Sequence, residues 1–94
     1  MLFVSLLNPK ANATRMNSIP RRAEWKWPEG LKYVAEYWLQ HDNPRVICVA
    51  EADSIGPIMA AVAAWDDLFD ISVFPAVTAE EGLKLVSQMM PPGA

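Results

Sequence analysis

The stretch from Trp65 to Val77 constrains the fold of this chain more than any other. An apolar helix is predicted to end there at the acids Asp66 and Asp67, and a strand follows from about Phe69. Large apolar side chains point to both sides of that strand, so both faces of its sheet need cover. Because 94 residues cannot easily form layers on both sides of a sheet, the pattern predicts a small α/β sandwich that pairs with a second copy.

Apolar periodicity and turn residues divide the chain into four strands and three helices. Strands are predicted over residues 2–7, 31–40, 45–51 and 69–77. Helices are predicted over 12–27, from a cap at Asp53 or Ser54 to about Trp65, and from Thr78 onward. Two strand-helix-strand units with right-handed crossovers give an α+β, ferredoxin-like βαββαβ fold. Its four-stranded antiparallel sheet has the order 4-1-3-2, an extra helix follows, and residues 1–90 form one domain with a flexible tail over 91–94.

Individual residues add local predictions at the ends and in the interior of these elements. The apolar residues Met16, Ile19, Ala23 and Trp27 of the first helix fall on one helical face. Pro20 interrupts this face and lacks a backbone N–H, so the helix is expected to kink or break near Ser18 and Ile19. Pro75 suits an edge strand. Thr78 and Glu81 have the spacing of a capping box for the last helix. The buried stripes are expected to be Ile55, Ile58, Met59 and Val62 on the second helix, and Leu83, Val86 and Met90, docked on a groove, on the last.

The polar segment 41–44 predicts a hairpin between the second and third strands. A symmetric hairpin places Glu36 opposite Val49 and Val34 opposite Glu51. Both glutamates then lie on one face together with Trp38, while Tyr33, Ala35, Tyr37, Cys48 and Ala50 lie on the other. A slip of one residue would change all these partners.

Composition excludes several classes of function. The formal net charge is -3 and the basic residues form no stripe, which argues against a nucleic-acid partner. Cys48 is the only cysteine, so the chain has no internal disulfide and no multi-thiolate metal site. A lone cysteine in a strand is a small core hydrophobe, or a nucleophile if it is exposed beside a positive group. We expect no metal and no cofactor.

No apolar run approaches the roughly 20 residues of a membrane span, so no membrane partner is expected. The opening MLFVSLL has neither a positively charged segment before it nor a small-residue cleavage site after it, unlike a signal peptide. We therefore expect a strand there and a cytoplasmic protein.

Five segments carry a resemblance to a known family: RRAEWKWPEG, VAEYW, AEAD, WDDLFDISVFPAV and EEGL, in this order. The chain resembles, from Met1 to about Leu85, a family of small uncharacterised bacterial and archaeal domains in the dimeric α/β-barrel superfamily. The resemblance implies a homodimer in which two sheets meet face to face through their helix-free sides. The superfamily includes cofactor-free monooxygenases, haem-degrading enzymes, isomerases and stress-responsive proteins, with sites often in a cavity between sheet and helices.

Candidate site residues follow from the topology, although none can be named catalytic. A carboxylate enclosed by a dimer partner holds its proton more tightly and becomes a possible base or ligand-binding group. The many aromatic side chains indicate core or dimer packing, or an aromatic ligand pocket. The ligand-binding candidates are Glu36, Tyr37, Trp38, Glu51, Trp65 and Asp66.

The acids after the second helix face an unfavourable helix dipole, which calls for a cationic partner. Arg45 or Lys10 is expected to supply it to Asp66 or Asp67. His41 is either a base oriented by one of these acids or a solvated turn residue.

Two classes of function remain open, and a third possibility is a subunit of a larger complex with extra contacts at the edge formed by Trp25 and Trp27. The first is a homodimer that binds a small apolar or aromatic molecule, or serves as an interaction module. The second is a cofactor-independent monooxygenase or isomerase-like enzyme that uses Glu or Tyr side chains for acid-base chemistry.

Overall fold

A computed structural model describes residues 1–90, so the tail predicted over 91–94 lies outside the described residues. The elements are β1 (Leu2–Pro9), α1 (Arg15–Ala23), β2 (Leu31–Trp38), β3 (Val46–Ala52), α2 (Gly56–Trp65), β4 (Phe69–Ala76) and α3 (Ala79–Met89). All strand pairs are antiparallel, and the sheet order is β2-β3-β1-β4. This is the predicted order read from the opposite edge, and the α+β architecture is consistent with a ferredoxin-like fold.

Strand β1 lies in the middle of the sheet, as its apolar residues on both faces require. Val4 pairs with Val49 on one side and with Phe74 on the other. Pro75 lies in β4, at one edge of the sheet, which confirms the prediction from its missing N–H.

Helix α1 is one continuous helix, and the predicted break near Ser18 and Ile19 is wrong. Thr14 caps it in a reciprocal pair of hydrogen bonds with Asn17, and the helix runs through Pro20 to Ala23. Proline removes the helical partner of the carbonyl four residues earlier, which belongs to Met16. Met16 and Pro20 are both exposed, so water can bind the Met16 carbonyl in place of the missing N–H of Pro20.

Helix α2 ends at Trp65 as predicted, but it begins differently. Its N-cap is Ile55, which makes no side-chain cap bond, so the caps expected at Asp53 or Ser54 are wrong. A side-chain cap is less necessary here because Pro57, in the first turn, lacks one of the N–H groups that a cap would satisfy.

The buried stripe of α2 is narrower than the apolar spacing indicated. Ile58 is buried and Val62 packs against the same core, whereas Ile55 and Met59 are exposed. The apolar residues nearly surround this helix, so their spacing alone does not select a face.

Helix α3 has one half of the predicted capping box: Thr78 Oγ1 accepts the backbone N–H of Glu81 at 3.1 Å, but the Glu81 side chain does not bond back to the backbone N–H of Thr78. The expectation that Leu83, Val86 and Met90 form a buried stripe is wrong within one chain, because each is more than half exposed. No residue of α3 is buried. The described chain measures 56 Å along its longest axis and only 17 Å along its shortest.

A β-bulge at Val34 sets which side chains of β2 face the helices. The register shifts between Tyr33 and Ala35, which leaves Val34 as an extra residue without a partner on β3. The pairs after the bulge are Ala35 with Val49, Glu36 with Cys48, Tyr37 with Ile47, and Trp38 with Val46. The predicted pairing of Glu36 with Val49 is therefore wrong by one residue, and the faces are exchanged.

The buried core lies between the sheet and the helices in two clusters. One consists of Phe3, Ala50, Ala52 and Ile58, and the other of Ala13, Trp65, Leu68 and Phe69. None of the helices in residues 1–90 combines the length and the apolar character that a membrane span requires.

The opposite face of the sheet, which we call the helix-free face, is also apolar in its centre. Cross-strand partners point to the same side, so the register places on it Leu2, Val4, Leu6, Ala35, Tyr37, Ile47, Val49 and Phe74. Tyr37 and Phe74 are 58% and 51% exposed.

Candidate functional site

A cavity of about 260 Å³ lies between the helix-covered face of the sheet and helices α1 and α2. Its walls are mainly apolar, and all four tryptophans of the chain contribute to them: Trp25, Trp27, Trp38 and Trp65. An apolar cavity of roughly 150 Å³ suffices for benzene. The space therefore suits a molecule of one or two fused rings.

Edge-to-face contacts between aromatic rings build one wall. Trp25 lies edge-on to Trp27, with ring centroids 5.9 Å apart, and edge-on to Trp65 at 5.8 Å. Trp27 in turn packs on Tyr33 of β2 at 5.4 Å. Each such pair contributes about 0.5–1.5 kcal/mol beyond the area that it buries. These contacts hold the segment that follows α1 against the sheet and so fix the shape of the wall.

Glu36 is the only acidic side chain in the lining described here, and it is 8% exposed. Arg22, in the last turn of α1, donates from Nε to both carboxylate oxygens at 3.0 and 3.2 Å, and a terminal guanidinium nitrogen lies 3.0 Å from Oε1. The indole N–H of Trp38 donates to Oε2. The carboxylate is thus removed from water but fully paired, as a buried charge requires.

Cys48 of β3 is the cross-strand partner of Glu36 on the neighbouring strand β2, and it also lines the cavity. Burial and, to a smaller extent, the negative charge of Glu36 together raise the pKa of its thiol to about 11, against the opposing effect of the positive charge of Arg22. Thiols react as thiolates, so at neutral pH Cys48 is an uncharged lining group and not a nucleophile.

Two further arginines stand at the end of the cavity near the hairpin turn. The side chain of Arg45 is largely buried, pairs with Asp42 at 2.9 Å and donates to the carbonyl of Ala13 at 3.3 Å. Arg15, the first residue of α1, is exposed and donates to the carbonyl of Leu39 at 3.3 Å. It also borders the shallow depression formed by residues 40–43, which places it at the rim.

The structure brings three of the six candidates together. Glu36, Trp38 and Trp65 line the cavity. Tyr37 and Glu51 point to the helix-free face, so the prediction that Glu36 and Glu51 share a face is wrong. The bulge at Val34 is the physical reason, because it moves Glu36 to the side of the helices.

The sixth candidate, Asp66, is exposed as the C-cap of α2 and does not line the cavity. Its neighbour Asp67 pairs with Arg21 at 2.9 Å, and this hydrogen bond lowers the pKa of the Asp67 carboxyl. The predicted partners are wrong, since Arg45 binds Asp42 and Lys10 lies 4.0 Å from Asp70.

His41 is exposed in the hairpin turn, where its Nδ1 accepts the backbone N–H of Asn43 at 2.9 Å. Among residues 1–90, no three His, Cys, Asp or Glu side chains are grouped as metal ligands.

Sequence reasoning missed the polar side of α1. Arg15, Ser18 and Arg22 all line the cavity, and their spacings of three and four residues place them on one helical face. That spacing was a usable signal, but the apolar stripe of the same helix drew the prediction to Met16, which is exposed, and to Ile19, which borders the cavity.

Comparison with known proteins gives a family and no activity. No curated protein and no solved structure matches the chain significantly. The sequence profile of one family, described as a domain of unknown function, matches residues 1–90. Because this match covers nearly the whole chain, the protein belongs to the DUF3303 family.

Proposed function

We propose that this protein binds a small aromatic or apolar molecule in the cavity between its sheet and its helices. One observation carries the proposal: the ion pair of Arg22 and Glu36 lies at the wall of a cavity otherwise lined largely by tryptophans and aliphatic groups. Ligand sites combine apolar walls with a few fixed polar groups that orient the ligand.

The location of Glu36 supports binding over simple core packing. Moving a carboxylate out of water costs several kcal/mol, and a well-packed apolar pair is often as stable as a buried ion pair or more so. A fold that needed only a filled core would therefore gain no stability from this ion pair over an apolar pair. The open volume beside it points the same way, because close-packed interiors leave few voids larger than a water molecule.

We further propose that two copies pair through the helix-free face, which would make the protein a member of the dimeric α/β-barrel superfamily. The centre of this face is apolar on all four strands, and no helix of the described chain covers it. A contiguous exposed apolar patch on a small chain marks an interaction site. A second copy is the partner that we propose, because an identical sheet matches it by twofold symmetry.

A cofactor-independent monooxygenase or isomerase-like activity is the second candidate. The observation that favours it is the carboxylate of Glu36 at the cavity wall, a position from which a general base could reach a bound substrate. We rank it below binding because Arg22 and Trp38 already engage both oxygens of Glu36. Tyr37 lies on the other face, so any acid-base chemistry would rest on Glu36 without it.

Two alanines of α2 offer a matched test. Ala61 lines the cavity, whereas Ala63 lies on the exposed side of the same helix. We expect 2-naphthamide to bind the wild-type protein and A63F with one site per chain by isothermal titration calorimetry, and to raise their melting temperatures. A61F fills the cavity and should not bind. Absence of binding to the wild type, or equal binding by both variants, would overturn the proposal.

A further inference from the structure

We infer that the ligand of this cavity is an aromatic carboxylate, with its ring among the tryptophans and its carboxylate on Arg15 at the rim. The inference rests on the proposed function, because it names the chemical class of the molecule bound in the same cavity.

Charge is the first observation. The cavity lining contains three arginines and one glutamate, a charge of +2, which Asp42, the partner of Arg45 just outside the lining, reduces to +1. The whole chain has a formal net charge of -3. A concave surface whose charge is opposite to that of the whole molecule concentrates ions of the other sign, here anions.

The three arginines are not equally available to a ligand. Arg22 is bound to Glu36, and Arg45 to Asp42 and the carbonyl of Ala13. Arg15 forms no ion pair within the described part of the chain, and its one hydrogen bond is to the carbonyl of Leu39. It is the guanidinium with donors left for a ligand.

Geometry then selects a carboxylate. A guanidinium carries five N–H donors, and its planar fork matches the two oxygens of a carboxylate. Arg15 contributes to the cavity lining and also to the surface depression outside it. A ligand with its ring inside and its charge at the rim would keep the carboxylate partly in water and avoid the cost of burying it.

The negative charge of Glu36 reinforces this orientation. It lies at the wall that Arg22 and Trp38 complete, where a second carboxylate would meet a like charge. The aromatic end is the part of the ligand that fits there, and the anionic end is left to Arg15.

The test compares 2-naphthoate with 2-naphthamide, which has nearly the same shape and no charge. Titrations use the wild-type protein, Arg15→Gln, and Lys84→Gln as a control that removes the same charge from exposed α3. We expect wild type and K84Q to bind naphthoate about tenfold more tightly than the amide at low salt, and R15Q to bind both about equally. The preference should shrink as salt is added.

Each outcome decides between the two proposals. If both probes bind the wild type equally, or if R15Q keeps the preference, the inference is overturned while the proposed binding function stands. If neither probe binds, both fall. Arg15→Lys keeps the charge without the fork, so we expect it to restore part of the preference for naphthoate.

Discussion

Arg22 and Glu36 form an ion pair that joins the last turn of α1 to the edge strand β2 at the wall of the cavity. The residues are 14 positions apart in the chain, and Nε of Arg22 lies 3.0 and 3.2 Å from the two oxygens of Glu36. The side chain of Glu36 is 8% exposed and that of Arg22 is 30% exposed, so a buried carboxylate meets a partly buried guanidinium, unlike the exposed pair of Lys10 and Asp70. The pair thus fixes the end of α1 against β2, and the same two side chains form the polar part of the cavity wall.

Removal of Arg22 should destabilise the fold. The substitution Arg22→Met leaves the carboxylate of Glu36 buried without its cationic partner, and we expect a loss of about 2–4 kcal/mol in the free energy of unfolding. Urea denaturation followed by far-UV circular dichroism measures it.

The control for that variant is Lys10→Met, which removes the exposed partner of Asp70. It should cost less than about 0.5 kcal/mol, because exposed ion pairs contribute little. Equal losses in the two variants would show that the Arg22 pair is not buried as described.

Cys48 should react slowly with thiol reagents. With a pKa of about 11, only about one thiol in a thousand is a thiolate at pH 8, and the rate should rise about tenfold for each pH unit up to pH 10. Alkylation by iodoacetamide under native conditions, followed by mass spectrometry, gives this pH profile. A rate that levels off near pH 8.5 would contradict it.

Two substitutions test the cause of the Cys48 shift. Glu36→Gln removes a charge that raises the pKa, so alkylation at pH 8 should become faster. Arg22→Gln removes a charge that lowers the pKa, so alkylation should become slower in protein that is still folded. The same sign of change in both variants would rule out the electrostatic explanation.

Local patterns in the sequence sufficed for the architecture. The doubly apolar β1 predicted a central strand, Pro75 an edge strand, and Thr78 the start of α3. Each of these depends on residues close together in the chain, whose preferences tertiary packing did not override.

The site was only partly predictable, and the bulge at Val34 shows why. Tyr33, Val34 and Ala35 are all apolar, so alternation cannot reveal where one extra residue enters the strand. Because of this one extra residue, the side chain of Glu36 lines the cavity and lies on the opposite face of the sheet from Glu51. The pairing of Arg22 with Glu36 was also hidden, because it depends on how α1 lies across the sheet.

The helix-free face should hold two copies together. Val49 lies in the centre of this face, so Val49→Glu would place a charge in the proposed interface. Light scattering at micromolar concentration should give about 21 kDa for the wild type, twice the 10.5 kDa chain, and about 10.5 kDa for the variant.

Ala63→Glu introduces the same charge on the exposed side of α2 and should remain a dimer. A wild-type mass of 10.5 kDa would contradict the proposed dimer. It would leave the cavity, which lies within one chain, unaffected.

The most direct test of ligand binding in the cavity is a titration of ¹⁵N-labelled protein with 2-naphthoate, followed by NMR. All four indole N–H signals belong to tryptophans that line the cavity. We expect these signals to shift and saturate together, while the backbone amides of Lys84 and Ser87 on the exposed helix α3 stay in place. Indole signals that do not move, or shifts confined to residues of the helix-free face, would contradict binding in the cavity.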